Sequence, residues 1–271
     1  MRRICILCAA LLAIASLSAQ EPSRGKATPI SPEINISDRM GVLVGVPILV
    51  QQGQYQDTCN CPPFSGGSGS GITAGVLYEF PSEESQVFRF GVAAGLDYSS
   101  MLLQYREQEL LTFTSSDGTQ QYSDVPVEFR QQMRFRLFGL WGQPYLRIVP
   151  VARDVLALSI GLQAGTLLAG TAEHTKSLVQ NTVRLPNGEV LALQMAGGST
   201  STVVRDGDIV GLERFQAAAV VRVESSIELS KHWRLRPGVQ YAIPLIPLSS
   251  SGNTRVAAWL FMFSLVRETE R

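Results

Sequence analysis

Lysine is scarce in this chain of 271 residues. Only Lys26, Lys176 and Lys231 stand among its 23 basic residues, and the rest are arginines. A solvated sheet surface usually carries many long charged side chains, so the scarcity argues against a broad aqueous face. Histidine is scarcer still, at His174 and His232. Two histidines far apart in sequence, with Cys59 and Cys61, are too few for a confident zinc site. No run of 18 apolar residues follows Leu17, which excludes a later transmembrane helix. A basic surplus is missing as well: 23 basic residues meet 23 acidic ones. That balance gives no reason to expect nucleic acid as a partner. The hydrophobic fraction, 45%, is ordinary and decides nothing.

Residues 1–19 are the first positive signal. Met1-Arg2-Arg3 leads into the apolar run Ile4–Leu17, and Ser18-Ala19-Gln20 offers a small-residue exit. This is the pattern of a secretory signal peptide cut after Ala19. Removing it lowers the basic count to 21, for a net charge of −2. Residues 20–38, with Pro22, Pro29 and Pro32, read as a periplasmic lead-in.

From Arg39 the dominant pattern is alternation with period two, the mark of strands with unlike faces. In Trp233–Ile243 the odd positions are Trp233, Leu235, Pro237, Val239, Tyr241 and Ile243; Arg234, Arg236 and Gln240 lie opposite. Phe88–Tyr98 alternates as cleanly, with Arg89 and Asp97 on the polar side. Strands are expected at Arg39–Val50, Ser70–Phe80, Phe88 to about Tyr105, Val127–Val149, Val155–Leu168, Arg214–Leu229, Trp233–Ile243 and Val256–Val266. In the fourth, Met133, Phe135, Leu137, Gly139 and Trp141 share a face opposite Arg134 and Arg136. Gly142-Gln143-Pro144 suggests a bulge there, or a turn dividing the segment.

Connections alternate long and short along this series. The longest, Gly170–Glu213, holds Pro186-Asn187-Gly188 between short apolar runs, the signal of a hairpin of its own. Even strand number, segments near the roughly 9–11 residues needed to cross, and alternating loop lengths predict an all-β fold. The expected architecture is an antiparallel up-and-down transmembrane β-barrel over residues 39–267. It has eight strands, or ten if the hairpin joins the wall, with long outer loops and short periplasmic turns. Residues 268–271 form a tail. A soluble barrel with the apolar face inside is the competing arrangement.

A lipid-facing barrel sends the polar face into the lumen. The lumen candidates are Glu79, Arg89, Asp97, Arg134, Arg136, Arg222, Glu224, Glu228, Arg234 and Arg236. Unpaired buried charge is costly, so these are expected to pair into a filling network rather than line a wide pore. Tyr78, Tyr98, Trp141, Trp233, Tyr241 and Trp259 are candidates for an interfacial aromatic girdle.

Phe88–Tyr98, Pro144-Tyr145-Leu146-Arg147, Tyr241-Ala242-Ile243-Pro244-Leu245 and Trp259–Val266 together resemble the outer-membrane β-barrel domain family. They are similar to the barrel of outer-membrane protein A and to porin-like proteins. The resemblance implies residence in the cell outer membrane, contact with its lipid and insertion by the barrel-assembly machinery.

Functional expectations are coarser. His174 has Glu173 and Ser177 nearby in sequence, but a hydrolase needs such groups in hydrogen-bond register, which loop neighbours rarely achieve. A solvated loop histidine is the expectation, with no enzyme activity and no cofactor. Cys59 and Cys61 are candidates for a small disulfide ring, in a compartment that permits one. The favoured reading is a structural or surface-interaction barrel with a surface partner reached through the outer loops. The alternatives are a narrow ion or solute channel and a lipid-modifying enzyme.

Overall fold

The computed structural model describes residues 36–57, 61–83, 87–115, 118–150, 155–195 and 197–270. The expected signal peptide, and the lead-in up to Asn35, lie outside them. The strands are β1 (Ile36–Gln52), β2 (Gly67–Glu83), β3 (Phe88–Thr114), β4 (Gln121–Ile148), β5 (Leu156–Leu178), β6 (Thr182–Arg184), β7 (Val190–Ala192), β8 (Ser201–Asp208), β9 (Phe215–Ser225), β10 (Ile227–Ser230), β11 (Trp233–Pro244) and β12 (Arg255–Glu270).

Eight of them close a ring. β1 pairs with β2, then β3, β4, β5, β9, β11 and β12 follow, every neighbour antiparallel, and β12 pairs back onto β1. The β1–β12 seam runs without a break from Ser37↔Glu270 to Gln52↔Arg255. The fold is thus an eight-stranded antiparallel transmembrane β-barrel. β6 and β7 form a separate two-stranded sheet, so the ten-stranded alternative does not hold. β8 pairs only with the far part of β5, continuing the line of β9 past the ring.

Side-chain orientation separates lipid-facing from soluble barrels. On β1, Met40, Val42, Val44, Val46, Ile48 and Val50 point outward and are exposed, while Arg39, Leu43 and Leu49 are buried inside. The same holds around the ring: Ile72 is 60% exposed and Phe90 65%, whereas Glu79, Arg147 and Arg236 are almost wholly enclosed. An apolar belt encircling the molecule is unstable in water and matched to hydrocarbon. No helix of the described residues is long and apolar enough to cross a membrane.

Strand lengths differ from the sequence reading in one consistent way. β3, β4 and β5 continue far past the belt, to Thr114, back from Gln121, and to Leu178. What alternation suggested as a loop after Tyr105 is a tall hairpin closed by a turn, with Gly118 N donating to Ser115 O at 2.9 Å. Gly118 has φ +71°, the left-handed region that glycine enters without steric cost. β4 is continuous through Pro144. The irregularity lies instead at Phe138/Gly139, where β5 accommodates an extra residue, and Leu168 and Ala169 both face outward. At the other end β1 starts at Ile36, three residues into the expected lead-in. β12 absorbs Glu268 from the expected tail.

One close approach fixes a wall position. Gly91 lies opposite Tyr145 across β3 and β4, and the Tyr145 ring covers it: a Cβ on Gly91 would fall 2.4 Å from the ring. The ring cannot retreat, because Arg222 stacks on it at 5.2 Å and Glu79 takes its hydroxyl at 3.5 Å. Gly91→Ala is expected to cost about 1–3 kcal/mol through overpacking. A lower urea midpoint for the vesicle-inserted protein would register it, and an unchanged midpoint would show that the ring can move.

Candidate functional site

Most barrel interiors of this size are filled by side chains, and this one is arranged in three tiers, the middle one partly open. The floor, toward the end with short turns, is ionic. Glu79 is its hub, accepting two hydrogen bonds from Arg236, at 2.6 Å to Oε1 and 3.2 Å to Oε2. Arg39 Nη1 stands 3.7 Å from Glu79 Oε2, and Arg147 Nε 3.8 Å from Oε1. Arg147 also donates to Glu224 at 2.5 Å, and Arg39 to Glu268 at 2.9 Å. Ser37 and Arg234 complete the surroundings of Glu268, at 2.8 and 3.1 Å. Arg222 donates twice to Gln240 Oε1, which also receives Gln143.

The middle tier holds a cavity of about 190 Å³. Leu43, Trp141, Met262, Gln163, Gln240 and Asp97 are on its wall. Gly139 and Gly165 lie on the wall too, where longer side chains would project into the space.

The top tier is an apolar plug. Leu49, Met101, Leu103, Met133, Phe135, Leu137 and Leu167 point inward from the wall and meet Tyr55 and Phe64 of the first outer loop, Ile209 and Leu248. Tyr55 and Phe64 exchange backbone hydrogen bonds at 2.9 Å and are fully buried. Their rings pack edge-on, Tyr55 against Phe135 and Phe64 against Tyr105, both at 4.8 Å. The fourth outer connection braces them, with Thr254 Oγ1 donating to Gln54 O at 2.6 Å.

Above the plug a polar latch ties the first loop to the tall strands. Asp57 accepts from Arg205 of β8 at 2.5 Å and sits 3.0 Å from His174 Nδ1 of β5. The other ring nitrogen lies 2.9 Å from Gln131 Oε1 on β4, and Gln131 donates onward to Glu107. Lys176 reaches Glu109 and lies over the Phe129 ring at 4.1 Å. Burial, reinforced by the carboxylates of Glu107, Glu109 and Asp57, pushes the Tyr105 phenol up to about 12. Higher still, the β6–β7 hairpin contributes Val183, and the chain after it Leu193 and Met195, to a cluster on Val127 and Phe129.

The sequence candidates divide accordingly. Glu79, Arg89, Asp97, Arg222, Glu224, Arg234 and Arg236 face the lumen. Arg134 and Arg136 do not: both are exposed on the outer face of β4. The phase of this strand is inverted relative to the sequence reading. Its apolar side chains Met133, Phe135 and Leu137 face the plug, and Gly139 of the same phase pairs with the lumen-facing Asp97. Trp141 therefore leaves the girdle and enters the lumen, donating to Thr73 at 3.2 Å. Glu228 lies exposed on β10 at the rim. Arg39, Arg147 and Glu268 were missed. Arg39 and Glu268 sit at expected segment ends, and Arg147 lies beyond the bulge or turn expected at Gly142-Gln143-Pro144.

His174 is not a loop residue; it is 1% exposed inside the strand extension. Glu173 points to the opposite face and pairs with Arg136 at 3.2 Å, while Ser177 donates to the Arg130 carbonyl at 3.3 Å. The three do not meet in one site. Cys61 is disulfide-bonded; Cys59 lies outside the described residues. Among the described residues no group of His, Cys, Asp and Glu is placed to hold a metal.

No protein-family model and no curated protein matches this sequence. Solved structures do. The attachment invasion locus protein Ail of Yersinia pestis, in complex with the heparin analogue sucrose octasulfate, is 11% identical, with 86% of this chain and 99% of that chain covered and a TM-score of 0.29. Neisserial surface protein A is 10% identical, with 84% and 96% covered and a TM-score of 0.34. The outer membrane protease OmpT from Escherichia coli is 8% identical, with 91% and 99% covered and a TM-score of 0.26. The closed ring of strands, not this likeness, establishes the fold.

Proposed function

We propose that the protein is an integral outer-membrane barrel that does not conduct and that serves as the anchor of a rigid surface-interaction platform. One observation carries this reading: the lumen is blocked twice, by the Glu79 network and by the Tyr55–Phe64 plug, while β3, β4 and β5 are spent on structure beyond the belt. Loops meant only to join strands need neither a buried latch nor an apolar core of their own. Interaction surfaces gain from such stiffness, because less ordering entropy is lost on binding. The apolar belt contacts outer-membrane lipid, the barrel-assembly machinery inserts the chain, and the surface partner meets the outer extension.

Two measurements test this. In a planar bilayer the wild-type protein is expected to give no steady single-channel conductance. Excising residues 106–130, so that Tyr105 and Gln131 are joined by a short turn, is expected to abolish cell-surface binding while the barrel still shows a heat-dependent shift on a detergent gel. The cavity beside Asp97 is the feature that favours a narrow channel instead. Steady wild-type conductance would establish that second reading and remove the first.

A further inference from the structure

Arg134 and Arg136 stand at a particular height on the outer wall. Register places Ile72, Tyr98 and Phe138 in one row across β2, β3 and β4, all outward and exposed. The next row away from the belt is Ser70, Ser100, Arg136 and Thr171. On β4 the wall thus passes from aromatic to arginine in a single outward step, and Arg134 follows. That step marks where hydrocarbon ends and headgroups begin.

We infer that Arg134 and Arg136 form a binding site for the phosphate of an anionic lipid headgroup in the surrounding leaflet. Two positions apart on one strand face, their Cα atoms are about 7 Å from each other, a span that two guanidinium forks can close on one phosphate. Arg136 shares the single carboxylate of Glu173, with its side chain still 47% exposed. Arg134 makes no ion pair among the described residues. Above them Arg106 and Arg130 face each other across β3 and β4, offset only by Glu128. With Glu173 of β5, which register sets opposite Arg134, the four guanidiniums of Arg106, Arg130, Arg134 and Arg136 stand against the carboxylates of Glu128 and Glu173. Asp206 and Asp208 lie two strands from β4, on β8, so the anion sits over β3–β4. Arginine rather than lysine suits this task, since its planar fork binds phosphate bidentately.

The site rests on the outer-membrane reading above, and the test separates the two. Full-length protein folded in neutral detergent is given an equimolar mixture of phosphatidylglycerol and phosphatidylcholine, and retained lipid is counted by native mass spectrometry. Wild type is expected to enrich phosphatidylglycerol. R134Q/R136Q is expected to lose that preference by on the order of tenfold, while R214Q, changing an exposed arginine just before β9, keeps it. Equal enrichment in the double variant overturns the site. So does loss of wild-type enrichment on adding inorganic phosphate, which would make the ligand a free anion. A heat-dependent gel shift on the same samples tests the barrel independently: a shift without enrichment leaves the barrel standing and removes the lipid site.

Discussion

Glu79→Gln is expected to be the most damaging single substitution in the wall, lowering stability by about 3–5 kcal/mol. Its carboxylate accepts hydrogen bonds from both Nη atoms of Arg236, while Glu224 lies 4.0 Å away. It also stands within 4 Å of Arg39 and Arg147. Arg39 keeps Glu268 and Arg147 keeps Glu224 after the change, but the enclosed Arg236 loses the carboxylate that accepts from both its Nη atoms. An amide preserves shape and one acceptor, so the loss reports charge rather than packing. The check is equilibrium urea unfolding of the vesicle-inserted protein. Removing the stranded cation as well, in E79Q/R236Q, is expected to recover much of the loss, because breaking a buried pair costs more than deleting both partners. A double variant as unstable as the sum of its parts would show that Glu79 acts through some other contact.

Phe64→Ala is expected to cost a similar amount, about 3–5 kcal/mol, but in a different place. The ring is fully buried between Tyr105 and His174, and nothing adjacent can collapse into the space without freeing the first outer loop. The wall below is held by its own ladder pairings. Amide exchange around Tyr55–Phe64 should therefore rise by orders of magnitude, while the urea midpoint of the belt strands stays near wild type. A matching drop in that midpoint would mean that plug and wall unfold as one unit.

How far the sequence discloses this molecule depends on which side of the belt is considered. Within the hydrocarbon zone, inside and outside differ in chemistry, so Phe88–Tyr98 or Trp233–Ile243 reveals both strand and facing directly. Past the belt that contrast reverses: water or headgroups lie outside and the Tyr55–Phe64 plug inside. Alternation still marks β4 as a strand there, but an apolar-equals-outward rule assigns Arg134 and Arg136 to the wrong faces and carries the error along the strand to Trp141 within the belt. His174 was lost for a related reason. Leu168 and Ala169 both face outward, and the period that carried the strand is broken at that bulge. The ionic floor was half legible. Glu79, Arg222, Glu224 and Arg236 sit within clean alternation, whereas Arg39 and Glu268 come from opposite ends of the chain and only closure joins them.

That joining sets an order of events. Ser37 and Arg39 on β1 meet Glu268 on β12, separated by 231 and 229 residues along the chain. Contacts of such sequence distance return nothing until the loop between them is closed, and pairings of this kind are slow. Every other wall pairing joins strands closer in sequence. The seam is therefore the last to form, and until it does β1 and β12 are open edges able to pair with other chains. The Arg39–Glu268 contact then works as a clasp: it selects the correct partner for each free edge at the moment when a mistake would lead to aggregation.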